Sequence, residues 1–133
     1  MAIRVVRLGT AKKRDEGLRL GTVRLLPRGV KKQDYARRNL FDVWLPELSP
    51  SHTLVSYAQA KPWTDARWAA FARRYHKEMR RPEAQRLIAV LAALSKQANV
   101  SICCYCENPS RCHRSLLGDL LRDQGGKVRL PHR

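Results

Sequence analysis

The chain has 133 residues, 44% of them hydrophobic, which is enough apolar material for one core and too much for a chain disordered throughout. No run reaches the roughly 18 apolar residues of a membrane span, and MAIRVVRLGT lacks the apolar stretch of a secretory leader, so a soluble cytoplasmic protein is expected. Against 11 Asp+Glu stand 27 Lys+Arg, and a net charge of +16 repels itself unless anions neutralise it.

Residues 3–8, IRVVRL, are rich in β-branched side chains and predict a strand. Polar residues 10–17 end in Gly17 and read as a loop. Residues 18–26, LRLGTVRLL, predict a second strand weakened by Gly21 and stopped by Pro27-Arg28-Gly29. A helix is expected from Asp34, a good N-cap, carrying Leu40, Phe41, Trp44 and Leu45 as far as Pro46. Residues 46–62 hold three prolines and read as irregular, with a short helix or strand around 53–57.

The next helix is clear. Thr64 caps it, and Trp68, Phe71, Ala72, Tyr75 and Met79 fall at helical spacing. Its other face carries Arg67, Arg73, Arg74, Lys77, Arg80 and Arg81. Pro82 suits the first turn of a further helix, which buries Ala84, Leu87, Ile88, Leu91 and Leu94 and ends at Asn99. Residues 100–106, VSICCYC, have the length and composition of a buried strand. Asn108-Pro109 reads as an N-cap and first-turn proline of a helix over about 109–124, burying Leu116, Leu117, Leu120 and Leu121. Residues 127–130 form a last strand. Helix and strand alternate over 83–130, which implies parallel strands joined by right-handed crossovers. The expected fold class is α/β, a small single domain over 1–133 with a mainly parallel sheet flanked by helices.

The chemistry concentrates in one segment. All four cysteines, Cys103, Cys104, Cys106 and Cys112, lie within ten residues, which suits packing, metal or reactivity better than a disulfide framework. The segment runs from the carboxyl end of a strand into a helix N-terminus, where open α/β sheets bind ligands and free N–H groups attract anions. A thiol there, beside Arg111 and Arg114, is expected to ionise easily, with Cys106 and Cys112 the two candidates. His113 is a candidate proton carrier and Glu107 a candidate base or orienting group. The plainer alternatives are core packing for Cys103 and Cys104, a backbone-bonded core histidine for His113, and a simple ion pair for Arg114.

Cys106, Cys112 and His113, with Cys104 or Glu107, also make a conceivable structural zinc set. The spacing lacks paired C-x2-C ligands, and adjacent Cys112 and His113 diverge by about 100° on a helix. The expectation is therefore no metal and no cofactor, with structural zinc the lesser alternative.

Cys106-Glu107, followed after four residues by Cys112-His113-Arg114-Ser115-Leu116, resembles the DUF488 domain family, and within it the short YeaO-like subgroup. Residues 24–30, RLLPRGV, are similar to that subgroup's RLWPRGV, and residues 44–51, WLPELSPS, to its WLKELAPS. Trp68, Phe71, Arg74 and Tyr75 match a W-x2-F-x2-RY pattern, so the resemblance covers nearly the whole chain. It implies a compact α/β domain with a parallel sheet. Its motifs gather Arg24, Arg28, Cys106, Glu107, Cys112, His113 and Arg114 near one edge. It implies no reaction, because the family is one of unknown function. Val23 stands where the subgroup usually has Asp, Leu26 replaces its Trp and Pro46 its Lys.

If the second and third long strands are neighbours, Arg24, Arg28, Arg111 and Arg114 face one pocket, as bidentate anion binding would want. The leading expectation is a small intracellular enzyme with a Cys/His/Glu/Arg site for an anionic substrate, phosphorylated or nucleotide-like. A basic nucleic-acid-binding module is the alternative, using Arg67, Arg73, Arg74, Lys77, Arg80 and Arg81. A partner-binding protein with a vestigial site is the third.

Overall fold

A computed structural model gives the structure of the chain and describes residues 1–106, 108 and 111–129. Five strands, β1 (Ile3–Arg7), β2 (Leu18–Gly21), β3 (Val43–Trp44), β4 (Val100–Cys104) and β5 (Val128–Arg129), form one sheet. Their order is β3-β2-β4-β1-β5, and every pairing is parallel. Four α-helices complete the α/β fold: α1 (His52–Ala60), α2 (Asp65–Glu78), α3 (Pro82–Leu94) and α4 (His113–Asp123). Among the described residues no helix is long and apolar enough to cross a membrane.

The two-residue period of a strand separates the sheet's faces. Ile3 and Val5 of β1, Leu20 of β2, and Val100 and Ile102 of β4 pack against the helices, with Phe71, Tyr75, Ile88 and Leu117 among their partners. The opposite face carries Arg19, Gly21, Ser101 and Cys103 and is covered by loops. Arg19 is 2% exposed; its Nε donates to Glu16 Oε1 at 2.8 Å and its Nη1 to the Asn39 carbonyl at 2.7 Å. One buried ion pair thus ties both covering loops to the sheet. Phe41 lies over Gly21, where even a Cβ would come within 2.4 Å of its ring.

The expected helix from Asp34 to Pro46 does not form. A 3-10 turn over Lys32–Asp34 continues briefly, and Asn39 then takes a left-handed φ of 58° that ends it. Beyond it the chain is extended: Asp42 N–H donates to the Arg19 carbonyl and Leu45 N–H to the Gly21 carbonyl. The open edge of β2 offers these bonds, and Phe41 gains a buried site against Gly21. The second strand also ends earlier than expected, at Gly21. Thr22 N–H still donates to the Cys103 carbonyl at 3.0 Å, and beyond it the Val23 carbonyl accepts from Trp44 Nε1 at 2.7 Å.

Within 46–62 the structure has α1, capped by Ser51 Oγ, which accepts from Leu54 N–H. Thr64 caps α2, as expected, by accepting from Arg67 N–H. Helix α3 starts at Pro82 but stops at Leu94, short of Asn99. The final helix starts at His113 instead of about 109, with Cys112 in the N-cap position. Pro109 and Leu130, the expected first-turn proline and last strand residue, lie outside the described residues.

Candidate functional site

Strands β2 and β4 are direct neighbours, so the segments that leave their carboxyl ends run side by side. Between them opens a cavity of about 580 Å³. Cys104, Cys106, Cys112 and His113 border it on one side, and Val23, Leu26, Trp63 and Phe71 supply apolar wall. Arg24, Arg28 and Arg111 bring positive charge to it.

The Sγ atoms of Cys104, Cys106 and Cys112 all lie within 4.8 Å of one another, with Cys104 and Cys106 3.7 Å apart. The strand period explains the first two, since residues two apart share a face. Cys103, between β4 neighbours, points the other way, and its thiol approaches the Ser101 carbonyl at 3.7 Å. It is a core residue, as expected, and burial pushes its pKa up to about 12. Cys104 was expected in the same role. It is buried, yet its sulfur belongs to the cluster.

Cys112 is 2% exposed and sits against Arg114 and His113. Arg114 Nε donates to its Sγ at 3.3 Å, and His113 Nδ1 lies 3.7 Å from the same sulfur. Arg114 Nη2 donates to the Cys106 carbonyl at 2.7 Å, fixing the guanidinium in place. His113 Nε2 faces two oxygens of Thr22, the carbonyl at 2.7 Å and Oγ1 at 3.2 Å. The Thr22 hydroxyl donates to the Cys103 carbonyl, so both oxygens act as acceptors and Nε2 must carry a proton. Nδ1 is thereby committed to Cys112.

Burial opposes ionisation of Cys112. Contacts with the Cys104 and Cys106 thiols and the charge of His113 outweigh it and hold this thiol well below the ordinary range. For His113, burial pulls the pKa down, but the facing Cys112 sulfur pushes it up further, so it lies above the usual value. Cys106 moves up, because its hydrogen bonds to Cys104 and Cys112 favour its protonated form. Cys104 is eased down by Cys106 but driven up more by Cys112 and burial, to about 12. Of the three clustered sulfurs, Cys112 is thus the one held below the ordinary thiol range.

The arginines expected around one pocket divide. Arg24 borders the cavity but spends Nε on the Pro50 carbonyl at 3.0 Å and Nη2 on that of Ser49 at 3.3 Å. Arg28 borders it and is exposed. Arg111 borders it while pairing with Asp65 Oδ1 at 2.6 Å. Arg114 does not face the cavity; it is buried behind Cys112, because its donors are taken up by a sulfur and a carbonyl inside the protein. Glu107 lies outside the described residues.

The basic face of α2 also divides. Arg67 turns onto the Lys61, Pro62 and Tyr57 carbonyls and stacks over the Tyr57 and Trp63 rings, so its charge ties α2 to the preceding turn. Arg74 lies over the Tyr57 ring. Arg81 Nη2 donates to the Glu47 carbonyl at 2.9 Å. Arg73, Lys77 and Arg80 point outward and are exposed.

Among the described residues the three clustered cysteines are the set that can hold a soft metal ion. His113 is not among them, since Nε2 is bound to Thr22 and Nδ1 faces Cys112.

No curated protein and no solved structure matches the chain. The profile of a protein family described as the active DUF488-N3 subclade matches residues 3–125, a span that contains the whole cysteine cluster, His113 and Arg114. The chain belongs to the DUF488 family.

Proposed function

We propose that the chain is an enzyme in which Cys112 attacks an anionic substrate held in the cavity between the carboxyl ends of β2 and β4. The observation that carries this reading is Cys112 at the cavity with the Arg114 guanidinium on its sulfur. Arg114 and His113 hold the negative sulfur, and the Nδ1 proton of His113 is placed to be returned as charge leaves it. Arg28 and Arg111 attract the substrate's anionic group, with Arg24 bracing the wall beside them. The apolar wall of Val23, Leu26, Trp63 and Phe71 suits a substrate with an uncharged body. Val23, where the subgroup usually has Asp, leaves proton transfer to His113.

The test is alkylation of each cysteine in the native protein against pH, read by mass spectrometry. Cys112 is expected to label rapidly well below the free thiol pKa of about 8.5, with Cys103 and Cys104 inert. Failure of Cys112 to label until the protein unfolds would remove the reading.

A second reading, nucleic-acid binding, is favoured by the exposed Arg73, Lys77 and Arg80 on a chain of net charge +16. It predicts a steep loss of affinity for single- or double-stranded probes with added salt. Charge reversal at these three positions should abolish that binding and leave Cys112 labelling unchanged.

A further inference from the structure

A nucleophile for acyl or phosphoryl transfer needs a base and an anion site; it does not need two more thiols in contact with it. Cys112 has both within 4.8 Å. The two neighbours also differ in access: Cys106 is exposed, whereas Cys104 is 7% exposed and Cys112 2%. From this arrangement we infer that the site runs a thiol–disulfide redox cycle, with Cys112 as the attacking sulfur, Cys106 as the resolving sulfur and a small anionic disulfide as substrate. The inference rests on the reading of Cys112 as the nucleophile and names its reaction.

The steps balance. The Cys112 thiolate attacks one sulfur of the substrate disulfide; the S–S bond breaks, and the other half leaves as a thiolate. The Cys106 thiol then attacks Cys112 Sγ in the mixed disulfide. A Cys106–Cys112 bond forms, the second half of the substrate departs, and the Cys106 proton goes with it. The substrate has gained two electrons and the protein has lost two. A small thiol returns them by attacking the exposed Cys106 sulfur and expelling Cys112. A sulfur of low pKa is the better leaving group, and Arg114 and His113 are already in place to receive its charge. A second molecule of that thiol releases the first as a disulfide and frees Cys106.

Geometry assigns the roles. The reductant comes from solvent and meets the exposed sulfur. The substrate enters the cavity, where Arg28 and Arg111 offer charge to its carboxylates and Cys112 lies at its border. Cys104, 3.7 Å from Cys106, lies two residues from it along the chain and is the poorer bridging partner, because a bridge across two residues needs a tight bend in the backbone.

The fully reduced chain is mixed with oxidised glutathione as the probe, quenched with acid, and mapped by mass spectrometry. Wild type is expected to release two equivalents of glutathione and to carry a Cys106–Cys112 bridge. Cys106→Ser should stop at a single glutathione on Cys112. Cys112→Ser should react at least tenfold more slowly. A bridge joining any other pair, a lasting mixed disulfide in wild type, or glutathione on Cys104 in Cys106→Ser overturns the cycle. Fast alkylation of Cys112 with no bridge rejects the redox cycle alone; absent alkylation rejects the nucleophile as well.

Discussion

Arg114 Nε and Cys112 Sγ are 3.3 Å apart inside the protein, and among the described residues no carboxylate pairs with that guanidinium. A buried arginine needs a negative partner, and the sulfur two residues before it fills that place. The sulfur gives the buried guanidinium its partner, and the guanidinium adds a positive charge beside a thiol that the Cys104 and Cys106 thiols and His113 already hold low.

Arg114→Leu should therefore act twice. Removing one member of a buried charged pair costs about 3–5 kcal/mol, and the Cys106 carbonyl loses its donor as well. The pH at which Cys112 becomes reactive should also rise. Denaturant melts and alkylation–pH profiles read the two effects separately. Lost stability with an unchanged Cys112 profile would mean that the arginine only packs.

The ionisation of Cys112 links reactivity to folding. Its folded pKa lies well below the ordinary thiol value, so the unfolded chain binds a proton there that the folded chain does not. That contribution to stability is full above about pH 8.5 and is lost as pH falls through the folded value. His113 has the opposite sign: its raised pKa contributes fully below about 6.5 and is lost as pH rises through its folded value. The two shifts share one interaction, since the Cys112 sulfur is what raises His113, so acid that protonates Cys112 removes both together. Far-ultraviolet thiolate absorbance should then disappear together with a fall in the urea midpoint. Native protein with no thiolate absorbance at neutral pH, or with the two inflections well apart, would contradict the linkage.

Much of this was legible in the sequence, for identifiable reasons. Thr64 and Pro82 mark the starts of α2 and α3 because capping and proline geometry are local. The run 100–106 announced β4 because a strand buried on both faces is continuously apolar. Residues 34–45 misled because their apolar spacing is also satisfied by a left-handed turn at Asn39 followed by pairing with β2, and that pairing is not local. Cys104 is a core residue, as its place in the strand suggests, and its sulfur also joins the cluster. The two-residue spacing to Cys106 was the signal that it shares a face with the exposed thiol, and it was present in the text of the sequence. The depth of Arg114 had no such signal, because it depends on where α4 begins.

Arg28 and Arg111 should govern which reagents reach Cys112. Both border the cavity, but Arg28 is exposed and Arg111 already pairs with Asp65, so the contribution of each is modest, about 1 kcal/mol or less. The paired reagents iodoacetate and iodoacetamide differ mainly in charge. Wild type should favour the anionic reagent at Cys112 relative to a free thiol. In Arg28→Ala/Arg111→Ala that preference should fall about severalfold while the iodoacetamide rate holds. A ratio that does not move would show that these arginines do not address the site, and the search for the anion contact would pass to Arg24.

Gly21 tests whether the loop-covered face is as tightly built as the side facing the helices. A Cβ at this position would lie 2.4 Å from Phe41 Cδ1 and 2.6 Å from Cγ, so Gly21→Ala forces the ring or the strand to move. Overpacking of this kind costs about 1–3 kcal/mol. Melting should fall by roughly 3–5 °C for each kcal/mol in a chain of this size. The displaced ring would loosen 39–42, including the Asn39 carbonyl that receives Arg19 Nη1. Gly21→Ala combined with Phe41→Leu should recover part of the loss, since a smaller side chain leaves room for the methyl. Cys112 belongs to the same core cluster as Phe41, but Phe41 does not line the cavity, so Cys112 labelling should stay near wild type in both variants if the displacement stops short of it. A Gly21→Ala variant as stable as wild type would mean that Phe41 does not rest on this strand.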